Sequence, residues 1–296
     1  MSNELATKYK GIDRAAIEEE MRRQQERSSG NKVNWDLDLV RQAKLPAGNS
    51  RNPKPTRVRF LPPTDGMTVP WVSWSKHVIF SAEAGKDVFF NCIGRGCPGC
   101  AEADRLFRGR DKLTQDKGRQ GRAKPVYAAN VIFETWGGGP VPEDRQGVKM
   151  FEFGPGIYRG TGKNVIGGLL AILNEQLDFS HPTQGCAIEI EKNVDGPNKQ
   201  MDTTYVVKLV QAPQRVNGVM VPVPAVRPLA VSEAEIDEIL GMRHNLSALT
   251  RTKSADELLM LMAGNTPEKA PQDGRRIIEA RTVADMPDDA DMPPWG

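Results

Sequence analysis

Three of the chain's four cysteines fall within ten residues, NCIGRGCPGC at positions 91–100, separated by glycine, proline and arginine. A packed core spaces its cysteines among larger apolar side chains. Gly94, Gly96, Pro98 and Gly99 supply turn chemistry instead, which swings neighbouring thiols round to face one point. The spacing Cys92-x4-Cys97-x2-Cys100 therefore predicts a metal knuckle that lacks one ligand. Structural zinc takes four ligands and favours thiolate sulfur and imidazole nitrogen.

Only three histidines can complete the set. His77 stands in WSKHVIF, one apolar segment ahead of DVFFNC, and a hairpin through SAEAGK would carry it to Cys92. His181 lies in the turn-like SHPT and His244 in a predicted helix, both far downstream. The expected site is one structural zinc ion held by His77, Cys92, Cys97 and Cys100, a closed shell with no position for a reacting water. Cys186 falls in a strand pattern and is expected in the core.

Other chemistries fit less well. A redox CPGC pair would leave the third thiol without a task, and no βαβ pattern surrounds it. A zinc deaminase needs His-x-Glu, and Ile79 stands where that glutamate belongs. A nuclease needs clustered carboxylates, whereas Asp65, Asp87, Glu134 and Glu152 are scattered. The sequence reads as that of a non-enzyme, with no catalytic residues.

The surrounding chain predicts mainly strands. TRVRFLPP, VPWVSWSKHVIF, DVFFNC, KPVYAANVIFETW and GVKMFEF are rich in Val, Ile, Thr and aromatics, with turn residues between them. A glycine-rich stretch leads into a short helix at about 169–177, and the strands CAIEIEKNV and TTYVVKLVQA follow. Asn217-Gly218 in RVNGVMVPV is a strong hairpin signal. Ser232 with Glu235, and Ser254 with Glu257, are capping-box patterns that open two helices. The expectation is a mainly β fold with helices (α+β), the strands closing into an OB-fold barrel. Residues 1–50 read as an arm, with helical propensity but a thin apolar face in RAAIEEEMRRQQER and a linker in KLPAGNSRNPKP. Residues 51–230 form the barrel with a zinc subdomain at about 75–125, and 231–264 the C-terminal helices. Residues 265–296 read as a disordered acidic tail.

No apolar run approaches the roughly 18 residues of a membrane span. The opening MSNELATKYK lacks the apolar stretch of a signal peptide, so an intracellular protein without a membrane partner is expected. In that setting clustered cysteines bind metal more often than they pair.

The net charge of +2 hides a division along the chain. Residues 105–124 carry eight Lys and Arg against two Asp, a local balance of +6, whereas residues 282–296 carry four Asp and no base. Arg57 and Arg59 alternate with Val58 and Phe60, so they share one strand face. Cations interleaved with aromatics suit an unpaired nucleic-acid strand, cations tracking phosphates and rings accepting bases. The candidate contacts are Arg57, Arg59, Arg105, Arg110, Lys112, Arg122, Lys124, Tyr127 and Phe151. Phe60, Phe89, Phe90 and Phe133 are expected as core; Tyr127 and Phe151 read equally as core or as stacking surface.

Together these motifs resemble the T-even phage family of single-stranded DNA-binding (helix-destabilising) proteins. The likeness rests on RVRFLPP, His77, the knuckle ending in CPGC, the basic stretch to Lys124, PVYAANVIF, and VKMFEFG followed by an Ile-aromatic pair. It covers roughly residues 56–212, with an acidic C-terminus in the same relative place. The resemblance implies an OB-fold with a zinc-holding insertion and single-stranded DNA in the cleft between them. It implies Arg59, Arg122, Lys124, Tyr127 and Phe151 as cleft residues, self-association through the N-terminal arm, and location in a host bacterial cytoplasm. An acidic tail of this family recruits replication, recombination and repair proteins. The family's two adjacent aromatics are here Tyr127-Ala128, and residues 1–30 balance six bases against six acids. The tail ends in MPPWG after DDAD, like the tip of bacterial single-strand binders, which makes Asp288, Asp289, Asp291 and Trp295 the expected partner contacts. Nothing in the residues reads a 2′-hydroxyl, so a zinc-bearing RNA-binding or transcription-regulatory protein is the alternative.

Overall fold

One long strand organises the architecture. In a computed structural model that describes residues 38–64, 67–81, 85–160, 168–174, 178–197, 202–216 and 219–264, β6 (Lys124–Thr135) runs for twelve residues. Its first half pairs antiparallel with β4 (Trp71–Ser81) and its second half with β3 (Thr56–Phe60), while β7 (Val148–Phe153) takes the opposite edge. β3 passes the sheet on to β8 (Ile188–Val194), which pairs in turn with β9 (Thr203–Leu209). β5 (Lys86–Asn91) pairs with the far end of β4. With β1 (Leu39–Arg41) beside β7 and β2 (Ala47–Gly48) beside β8, the result is a nine-stranded sheet. The fold is mixed α+β, mostly strands, with the sheet curled into a half-barrel.

Alternation decides which side is buried, because successive residues of a strand face opposite ways. Val58 and Phe60 of β3, Ala129, Val131 and Phe133 of β6, Phe151 and Phe153 of β7, and Ile188 and Ile190 of β8 gather in one core. Aromatic edges lock it, with Phe60 against Phe179 at 5.4 Å and Phe133 against Phe151 at 5.8 Å between ring centroids. A separate hairpin joins β10 (Gln211–Val216) to β11 (Val219–Pro224); the Asn217-Gly218 pair that signals it lies outside the described residues.

The helices are α1 (Pro98–Phe107), α2 (Lys112–Gly121), α3 (Pro155–Tyr158), α4 (Leu169–Asn174), α5 (Glu233–Gly241) and α6 (Ala255–Met262). Both expected capping boxes form, at Ser232 with Glu235 and at Ser254 with Glu257. Among the described residues no helix is long and apolar enough to cross a membrane.

Two expectations change. Residues 39–48, read as arm and linker, belong to the sheet through β1 and β2, and Val40 and Leu45 are buried in the core. Strands of three and two residues are too short to show a period. The basic run at 105–124, for which no helix was expected, is largely helical. Its glycines serve packing: a Cβ on Gly118 would lie 2.3 Å from the Phe107 nitrogen, so only glycine lets α2 cross α1 this closely. The helix read in residues 14–27 and the tail residues Asp288, Asp289, Asp291 and Trp295 lie outside the described residues.

Candidate metal centre and its basic flank

β4 changes partner at Lys76. Residues 71–76 pair with β6, and from Lys76 onward the strand pairs with β5, so His77 is the first residue wholly inside the inserted module. The hairpin sets His77 opposite Phe90, two residues from Cys92. After β5 the chain must reverse within five residues. Gly94 (φ 75°) and Gly96 (φ 77°) take left-handed backbone that other residues disfavour, and the Cys97 amide donates to the Gly94 carbonyl at 3.2 Å. The Gly94 amide donates to the Cys92 sulfur at 3.4 Å. Cys97 then caps α1 and Cys100 sits in its first turn, where the helix dipole favours negative charge.

Four donor atoms converge, all within 4.8 Å of one another. His77 Nε2 lies 3.5 Å from Cys97 Sγ and 3.4 Å from Cys100 Sγ, and Cys92 Sγ lies 3.6 Å from Cys100 Sγ. A tetrahedron built on metal–sulfur bonds of about 2.3 Å and metal–nitrogen bonds of about 2.0 Å has edges of about 3.8 and 3.5 Å. The separations suit that shell and are far too long for a disulfide of about 2.05 Å. The set could hold a metal ion, and its closed character fits a structural one.

The electrostatics point the same way. His77 is buried, which lowers its pKa and keeps the ring neutral. Its Nδ1 lies 2.8 Å from the carbonyl oxygen of Gly121, so a proton there leaves the Nε2 lone pair facing the sulfurs. Burial pushes Cys97 upward, but hydrogen bonds at the backbone of Cys100, Ile93 and Gly99 and from Cys92 outweigh it and lower its pKa. Burial, reinforced by the Cys92 and Cys97 thiols, pushes Cys100 up to about 12. Three thiolates this close need a cation among them to ionise together at neutral pH.

The module is tied on two sides. The Gly121 carbonyl that meets His77 ends α2, so the basic helix is anchored to a ligand. From the C-terminus, Leu258 and Leu261 of α6 pack against Ile79, Val88, Phe90 and Cys97. Asn91 Nδ2 donates to the carbonyls of Leu249 and Arg251, at 2.7 Å each.

The structure separates the expected nucleic-acid contacts into three groups. Arg59 and Phe151 are buried, at 2% and 0% exposure, which puts them out of reach of a bound strand. The segment around His181 and Arg227 covers Arg59, whose Nη2 donates to their carbonyls at 2.8 and 3.2 Å. Tyr127 is buried between Phe153 and Tyr158, with centroids at 5.7 and 4.1 Å, so core is the role of both Tyr127 and Phe151. Arg57 is half-exposed and paired with Glu189 at 3.0 Å.

The remaining five lie on or beside the module. Arg105 is exposed and bidentate to Glu102, and Arg110 and Lys112 are exposed around the α1–α2 turn. Arg122 and Lys124 stand where α2 hands over to β6. Lys124 is half-buried and lies directly across the strand pair from Lys76. Burial lowers the Lys124 pKa, and no ion pair offsets it among the described residues, whereas Lys76 pairs with Glu152 and lies 5.2 Å from the Trp74 ring. Lys76, Trp74 and Phe107 escaped the sequence reading. Only strand register and helix crossing, which are long-range properties, bring them here.

No protein-family model matches the sequence, and a search of curated proteins finds no match. The resemblance to the T-even phage binders stands on the motifs alone.

Proposed function

We propose that this chain is a sequence-tolerant, non-enzymatic single-stranded DNA-binding protein of a phage or phage-like replicon. In this reading the curled sheet is an OB-fold and the His77, Cys92, Cys97, Cys100 cluster holds one structural zinc ion. The protein would coat and protect unpaired DNA during replication, recombination and repair. Its acidic C-terminus, with Asp288, Asp289, Asp291 and Trp295, would recruit partners, and its N-terminal arm would meet neighbouring copies on the strand.

The observation that carries the reading is the seam between module and sheet. Lys124 lies across the strand pair from Lys76 there, with Arg122 two residues before it; Glu152 neutralises Lys76, and Lys124 is half-buried and makes no ion pair among the described residues. Lys76 is matched by Glu152, so Arg122 and Lys124 are the cations offered to an anion at this seam. Trp74 and Phe107 flank the seam with apolar surface. Cations beside rings suit phosphates beside unstacked bases.

The double variant R122A/K124A tests this. Single-strand affinity falls linearly with the logarithm of salt concentration, with a slope of about −0.7 per phosphate neutralised. Two lost contacts should flatten that slope by about 1.4. An unchanged slope in a folded variant removes the seam from the site. Matched RNA and duplex oligonucleotides run alongside: equal or better binding to RNA favours the RNA reading, and preference for duplex overturns both.

A further inference from the structure

We infer that Phe107 and Arg122 form a two-layer platform on which an unpaired nucleobase stacks, an inference that rests on the single-strand reading above. The ring is the fixed lower layer. Phe107 ends α1 at the crossing with α2, where a Cβ on Gly118 would come within 2.3 Å of its nitrogen and 2.7 Å of its Cα. The ring thus rises from backbone held at the helix crossing.

Two guanidinium groups lie over it. Arg119 and Arg122, one helical turn apart, bring their Cζ atoms to 5.6 and 4.3 Å from the ring centroid. Their other partners differ. Arg119 is engaged with Asp116 at 2.8 Å, whereas the acid nearest Arg122 is Asp104 at 3.9 Å, with both side chains more than half exposed. Arg122 therefore combines a short ring contact, a weak ionic tether and open solvent, two residues before Lys124.

That combination assigns Arg122 more than a point charge. A guanidinium is planar and stacks on aromatic faces, so one side can rest on Phe107 while the other receives a base. A lysine ammonium keeps the charge but offers no plane. Lys124 would then take the adjoining phosphate, which divides the labour between flat and spherical cations along one strand. Each base stacked on a platform of this kind strengthens binding by about fivefold or more.

The test compares R122K and F107A with wild type, each as metal-loaded full chain. The probes are a thymidine oligonucleotide and an abasic oligonucleotide of equal length. Wild type should favour the strand that has bases. R122K should lose most of that preference, about tenfold in affinity, while its salt slope stays at the wild-type value because the charge remains. F107A should lose the preference too, and metal content with circular dichroism verifies its fold. If R122K retains the full preference, or weakens equally on both strands, Arg122 acts as a charge alone and the platform is wrong. Wild type binding neither oligonucleotide defeats the single-strand reading itself, a different result from either.

Discussion

Among the described residues the curled sheet buries twenty side chains in one cluster, eight of them Phe, Trp or Tyr, whereas the metal module's cluster holds six. Of those six, Cys97 is a candidate ligand and Leu258 and Leu261 come from α6, which leaves Ile79, Val88 and Phe90 as the module's own apolar core. Three such side chains supply roughly 5–9 kcal/mol by burial. Ordering each residue of the module costs about 1–2 kcal/mol in backbone entropy alone. The sheet can hold itself together by packing; the module leans on a borrowed helix at one end and has, at the other, a ligand set that could hold a metal. Stability in this molecule is thus distributed unevenly, and the less stable part is the one that presents the basic surface.

Metal removal should expose that difference most strongly. Structural zinc contributes on the order of 10–16 kcal/mol of apparent binding energy in small modules, far more than the three apolar side chains. Chelation should therefore abolish hydrogen-exchange protection in β5, α1 and α2 and loosen α6, while β6, β7 and β8 stay protected. Single-strand affinity should fall with it, since Arg122 and Phe107 are placed by helices that depend on the module. Uniform loss across the chain, or none anywhere, would break the comparison.

What the sequence could reveal follows the same division. The ligand set was legible because metal chemistry resides in residue type and short spacing, and because two strand-like segments, WSKHVIF and DVFFNC, joined through SAEAGK predict the hairpin that brings His77 in. β3, β6 and β7 were legible from Val, Ile, Thr and aromatic content between turn residues. The helices α1 and α2 were not, because Gly118 and Gly121 look like breakers until one sees that they lie buried against neighbouring elements. Arg59 shows the limit of alternation: it predicts one face for both arginines but cannot say that residues around His181 and Arg227 roof Arg59, or that the register with β6 slips between Arg57 and Val58. The role of α6 as a wall of the module was equally hidden, since its partners lie more than 150 positions earlier.

The borrowed helix gives the next effect in size. Leu258 is fully buried against the module, and Leu258→Ala should cost about 2–5 kcal/mol. The loss should fall on the module, so the variant should surrender its metal to a competing chelator at lower concentration, with the sheet's unfolding little changed. Phe153→Ala in the sheet core should do the reverse, lowering global stability by about 3–5 kcal/mol and leaving metal retention nearly as in wild type. If both variants weaken metal retention alike, module and sheet form one cooperative unit.

The smallest effect concerns the tether between the two regions. Glu152 on β7 pairs with Lys76, the residue at which β4 passes from sheet to module, and lies 3.7 Å from Arg41 on β1. Burial would raise its pKa, but Lys76 and Arg41 outweigh that and hold the carboxyl below its ordinary value. A carboxyl lowered on folding adds stability above its unfolded pKa of about 4.3, and the contribution drains away as pH falls through the folded value. Glu152→Gln should accordingly cost about 1–3 kcal/mol at pH 7 and progressively less below about pH 4. Denaturant melts of the two proteins across that range check the sign: a gap that widens with acid would mean that Glu152 is not the charged partner binding module to sheet.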